Sequence, residues 1–293
     1  MSFMQYDPLT LLCYGFLYLT VLALWAPLRF KPALWIVAFG MAGIFGLLSH
    51  HVDILGIGLI IMLGFFFTFS RATSALVRGV FSFLALILSV ALVMHLAPGF
   101  HNLRVLDQVY LSANGSAFSL YLNFDKTAVG ILIVGMTLPI ISNSKEWKVM
   151  FKEMLPRAIL VIAILAVMSV LLGFVEFDLK ISDNLWIWIP TNLLFVCLAE
   201  EAFFRGFIQK NLTHIFSNVK LGNYVAIGIT AILFGLAHYM GGIKYMALAT
   251  IAGVGYGWIY QRTRRIEASI LTHFGLNLMH VLFFTYPALK SAF

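Results

Sequence analysis

The amino-acid sequence predicts an all-α, polytopic membrane protein, and three observations carry that prediction. Of its 293 residues, 61% are hydrophobic and only 11% charged, against roughly 25% charged residues in a soluble domain. The mean hydropathy is +0.96. Apolar runs of spanning length recur from one end of the chain to the other, and a helix satisfies its own backbone in lipid. Together these exclude a cytosolic globular enzyme, a disordered chain and a nucleic-acid-binding domain.

Crossing a hydrocarbon core takes about 20 mostly apolar residues. Ten intervals qualify, near 9–28, 33–49, 54–70, 75–97, 127–142, 158–175, 185–204, 221–240, 243–260 and 269–286. The first follows Asp7 and no basic residue, so it reads as a retained span rather than a cleaved leader. The longest interruption, about 98–126, is polar and carries Asn114-Gly115-Ser116, a match to a glycosylation acceptor. Ser142–Arg157, with Lys145, Glu146, Lys148, Lys152 and Glu153, reads as an amphipathic cytoplasmic connector with Trp147, Met150 and Phe151 turned to lipid. Cys13 and Cys197 both lie inside apolar runs and read as packed thiols. No repeat of fixed period is present. The chain divides into a first block of six spans (1–180), with no motif to assign, and a last block of four at 185–286. An acidic loop at 176–184 parts them.

The net charge of +7 does not point to nucleic acid, because the basic residues sit in short loops between apolar runs. One set of alternate loops holds fourteen of the nineteen, among them Arg29, Arg71, Lys145, Lys152, Lys210 and Arg265. The other set, with the termini, holds Arg104, Lys126, Lys180, Lys244 and Lys290. The excess of Lys and Arg marks the cytoplasmic side, so both termini are expected outside. In a bacterium the membrane would be the inner one.

Ionisable residues inside spans are costly and mark function by default. The first block is nearly free of them, with Arg78 and His95 near span ends. The last block holds Glu200, Glu201, Arg205, His238, His273, Asn277 and His280. Glu201 and Arg205 are four apart and share a helix face, which lets them pair; Glu200 points about 100° away and is available to a cavity. A Glu in that setting suits a general base. His273 and Asn277 are likewise four apart on one face, with His280 a turn further on. A Glu, two His and an Asn on three helices supply a base, a proton carrier and oxyanion donors. The same residues could instead make a Glu200/His238/His273 zinc site with an open water position.

Glu200-Glu201-x-x-x-Arg205, Phe234-x-x-x-His238 and His273-x-x-x-Asn277 together resemble the three-motif signature of the type II CAAX prenyl protease family, also called CPBP or Abi. The resemblance covers about residues 185–286. It implies an intramembrane endopeptidase whose helical core encloses a cavity, acting on a peptide or membrane-anchored protein. In the family's glutamate-dependent mechanism, Glu200 and His238 would activate water, and His273 and Asn277 would stabilise the oxyanion. Glu201 and Arg205 would hold the first helix, with Phe234 in support and no cofactor needed. Two rival classes share these residues: a transporter or ion pathway, and a non-catalytic immunity protein that binds a peptide.

Depth poses a further expectation. A full eighth span would carry His238 about 28 Å from its start, too far from Glu200 and His273 for one site. Either the span boundaries lie elsewhere or, as preferred, a re-entrant hairpin turns at Tyr239-Met240-Gly241-Gly242 at mid-depth, with Gly241, Gly242, Gly253, Gly255 and Gly257 allowing close packing.

Overall fold

The structure is a computed structural model that describes residues 6–26 and 31–292. Pro27–Phe30, including Arg29 of the basic set, lie outside the described residues. Helices dominate, as the composition requires: α1 Pro8–Ala23, α2 Lys31–Leu48, α3 Ile54–Phe69, α4 Ala75–Val93, α5 Phe124–Thr137, α6 Ser144–Leu171, α7 Leu185–Ile215, α8 Gly222–Leu236, α9 Gly242–Thr263 and α10 Ile266–Phe283. Each of the ten apolar intervals therefore holds a helix. Four of these helices, α4, α6, α7 and α10, are long and apolar enough to cross a membrane; α8 and α9 pass that test only as a pair. α1–α3 are apolar but shorter. The protein is an integral membrane protein.

One departure from the all-α expectation lies in the polar interruption. Leu103–Val109 (β1) and Phe118–Leu122 (β2) form a two-stranded sheet there, burying Val105 and Leu106 of the first strand and the alternating Leu120 and Leu122 of the second.

The chain forms two compact units that interleave along the sequence. The first comprises Met1–Arg104, Tyr121–Ser142 and Leu194–Phe203; the second comprises Val105–Leu120, Asn143–Leu193 and Phe204–Phe293. In the first unit α1 packs on α2 and α3 on α4, with α5 against α3, α4 and the 198–201 part of α7. Helix starts are capped as their sequences allow: Asp7 accepts from the Thr10 amide at 3.0 Å, and Asp53 from the Gly56 amide at 2.9 Å. α5 is buried on all sides, with Ala128, Val129, Ile131 and Ile133 inaccessible, which fits a helix apolar all round. It stops at Thr137 because Leu138 precedes Pro139 and adopts the extended backbone that a proline imposes on its predecessor. Both cysteines are free and buried.

α5 corrects one reading of the sequence. It begins at Phe124, not 127, so Asp125 and Lys126 fall inside a helix of the supposedly charge-poor block. The Phe124 amide donates to Asn102 Oδ1 at 2.7 Å, and the Lys126 amide to Asp125 Oδ1 at 2.7 Å. These side chains satisfy helix-end donors, which hydropathy alone does not register.

The second unit is built on α6, α8, α9 and α10. α6 also departs from expectation, since the predicted connector is the first half of one 28-residue helix. Asn143 caps it reciprocally, accepting from the Glu146 amide and donating to Glu146 Oε1, both at 3.0 Å. Met150 is buried with Met154 on the protein side rather than turned to lipid. α8 and α9 run back along each other. A Cβ on Gly253 would meet Ala231, and one on Gly235 would meet Thr250 and the Met246 carbonyl. Gly255 faces Val161 of α6 instead. The connection turns through Tyr239–Gly241, and Gly242 takes φ +80°, a left-handed value that favours glycine.

Candidate active site

α7 carries Glu200, Glu201 and Arg205 at mid-helix rather than at a span end, since it runs 31 residues without a break. The hydropathy signal ends near Phe204 because Arg205, Gln209 and Lys210 follow. The helix continues because those polar groups find partners. Its hydrogen bonding widens to π-helical turns at Asn192–Cys197 and Ala202–Gln209, flanking the α-helical Leu198–Glu201. Such turns cluster at functional sites.

In the first unit, Glu200 is buried and Glu201 inaccessible. Lys126 of α5 donates from Nζ to Glu200 Oε1 at 2.6 Å. One residue earlier, Asp125 is also buried. It pairs with His95 Nδ1 at 2.7 Å and accepts from Asn102 Nδ2 at 3.0 Å. Lys126 had counted only as a loop cation in the charge tally. An Asp-Lys pair immediately ahead of an apolar run was visible in the sequence, but its partner 74 residues later was not.

In the second unit, the structure brings His238, His273, Asn277 and His280 to the wall of one open cavity. Phe234, Tyr245 and Tyr256 line it too, with apolar side chains of α6 and α9. His238 lies just past the end of α8 and its Nδ1 donates to the Phe234 carbonyl at 2.7 Å. Because a carbonyl only accepts, that bond places a ring proton on Nδ1. Asn277 Nδ2 donates to Asn192 Oδ1 at 3.1 Å, and His280 Nε2 donates to the Thr285 carbonyl at 3.1 Å.

Aromatic rings hold the imidazoles in place. The Phe234 centroid lies 4.6 Å from that of His238 and 5.9 Å from that of His273, while Tyr256 stacks on His273 at 4.8 Å. Tyr245 meets His238 edge-on at 5.2 Å. Behind the rings sits the fully buried guanidinium of Arg205, 4.5 Å from the Phe234 centroid and 5.2 Å from that of Tyr256. Its Nη2 donates to the Gly253 carbonyl at 3.1 Å, and one turn on Gln209 Nε2 donates to that of Gly257 at 2.9 Å. Arg205 thus supports the histidines through π faces. That role could not be read from spacing, because it depends on which helices meet.

Residues 182–279 match the sequence model of the family described as type II CAAX prenyl endopeptidase, Rce1-like. That segment, about a third of the chain, is similar to the family over its matched length. Comparison with curated proteins gave no match, nor did comparison with solved structures. The Rce1-like region contains all three motifs, from Glu200 to Asn277, and ends before His280. It implies a protease acting on a protein or peptide. Lys126, His95, Asn102 and Asp125 lie outside it. Among the described residues, no three His, Cys, Asp or Glu side chains come together as a set that could hold a metal ion.

Proposed function

We propose that this chain is a glutamate-dependent intramembrane endopeptidase that hydrolyses a peptide bond in a membrane-anchored or exported peptide or protein. The observation that carries the reading is the gathering of His238, His273 and Asn277, two of the three family motifs, on one cavity wall. In this reading Glu200 takes a proton from water as the water oxygen bonds the scissile carbonyl carbon. His273 and Asn277 donate to the oxygen that becomes negative. The carbon–nitrogen bond then breaks, and the leaving amine takes its proton from the acid form of the Glu200–His238 system, with His238 Nε2 as the exchanging nitrogen. Arg205 and Phe234 hold the imidazoles from behind, and Glu201 supports α7. The basic loops face the cytoplasm and both termini lie outside, in the inner membrane if the host is bacterial.

The test is cleavage by the full chain in detergent of two internally quenched probes. One is a prenylated peptide ending in a CAAX sequence; the other is an unprenylated peptide pool. Glu200→Gln, His238→Ala and His273→Ala should each slow cleavage by about 10²–10⁴-fold. Wild-type rates from all three would overturn the assignment.

A further inference from the structure

The matched family segment starts at residue 182, yet the ammonium that meets its candidate base comes from α5, more than fifty residues upstream. We propose that Lys126 is a positioning residue for Glu200, which makes α5 part of the catalytic apparatus; this rests on the reading of Glu200 as the base.

Three features separate this pair from an incidental ion pair. Contact is close, at 2.6 Å between Nζ and Oε1, and both side chains are largely shielded, at 16% and 10% exposure. A charge-assisted bond of that length fixes a carboxylate's orientation as well as its charge. The helix that presents Lys126 is also held rigidly at its first turn. Asn102 accepts from the Phe124 amide while donating to Asp125, and Asp125 in turn pairs with His95. Finally, the spacing of α5 from the Glu200 segment is set by contact between backbones. A Cβ on Gly130 would stand 2.8 Å from Ala199 Cα and 2.7 Å from a Leu198 methyl. Gly130 is one helical turn after Lys126, and Ala199 immediately precedes Glu200. The close approach therefore fixes where the ammonium meets the carboxylate.

A consequence for the chemistry follows. With Oε1 held by the ammonium, the carboxylate keeps one orientation as it takes the proton removed from water, while the water oxygen bonds the carbonyl carbon. Lys126 neither gains nor loses a proton in that step. Its part is to fix the orientation of the carboxylate.

The experiment uses the full chain in detergent with whichever of the two probes the wild type cleaves. Lys126→Met should lower kcat by at least about tenfold with KM within about threefold, and Lys126→Arg should recover most of the loss. A merely structural lysine would not give that split with rescue. Wild-type kcat in Lys126→Met while Glu200→Gln is inactive overturns the proposal. So does a Lys126→Arg variant as slow as Lys126→Met. Wild-type turnover by Glu200→Gln would instead sink the reading of Glu200 as base, a different failure. Thermal unfolding of Lys126→Met, Glu200→Gln and the double variant decides the pair even if neither probe is cut. Coupled residues lose less together than the sum of the single losses, and additive losses overturn the proposal.

Discussion

Two regions of this protein manage polar side chains by opposite means. Around Glu200 the first unit answers a full negative charge with a full positive one, and places a second buried carboxylate, Asp125, against a histidine and an amide. Around the cavity the second unit uses neutral partners: main-chain carbonyls for His238 and His280, an amide for Asn277 and aromatic faces for His238 and His273. The difference teaches that buried polar groups are held by charge pairing in one unit and by carbonyls, amides and ring faces in the other. Removing one member of a buried ion pair leaves the other charge uncompensated, whereas losing one carbonyl or ring contact to an imidazole leaves no such charge behind.

Arg205 is where the contrast can be broken most forcefully, since it is a full charge behind the cavity rings. Arg205→Met should cost about 3 kcal/mol or more, from a lost bond to Gly253 and lost attraction to two rings. Thermal unfolding would show it, and Arg205→Lys should recover little because an ammonium lacks the planar fork and stacking face. A fully stable Arg205→Met protein would mean the rings hold without it. A smaller effect is expected from Gly257→Val. Any Cβ there comes 2.7 Å from Gln209 Oε1, and overpacking of this kind costs about 1–3 kcal/mol. Adding Gln209→Ala should return part of the loss, and strict additivity would show that the contact is not the cause. Smallest is the effect of stripping metal. A strong chelator should leave the cleavage rate unchanged, whereas a loss restored by zinc would make Glu200, His238 and His273 ligands and dissolve the contrast drawn above.

Much of this was legible beforehand, and the gaps have physical causes. Helix positions follow from hydropathy, so every apolar interval contains a helix. Boundaries fail where polar groups satisfy one another: α5 starts three residues early because Asn102 and Asp125 serve its first amides, and α7 outruns its apolar run because Gln209 reaches Gly257. Chemistry-bearing residues of the last block stood out because charge and imidazole are rare in apolar runs. Lys126 did not, because a cation near a span end usually reaches water. The β-hairpin was hidden by its short strands within a polar stretch. Tyr256 and Tyr245 look like ordinary core aromatics until α8, α9 and α10 are placed together.

One bond in the cavity outlasts the particular side chains around it. The acceptor for His238 Nδ1 is the main-chain oxygen of residue 234, the end of a helix rather than anything a codon specifies. Whatever residue stands at that position, the tautomer is dictated by the path of the polypeptide. Natural variation there can retune the imidazole's surroundings, but it leaves unaltered which nitrogen the main chain claims.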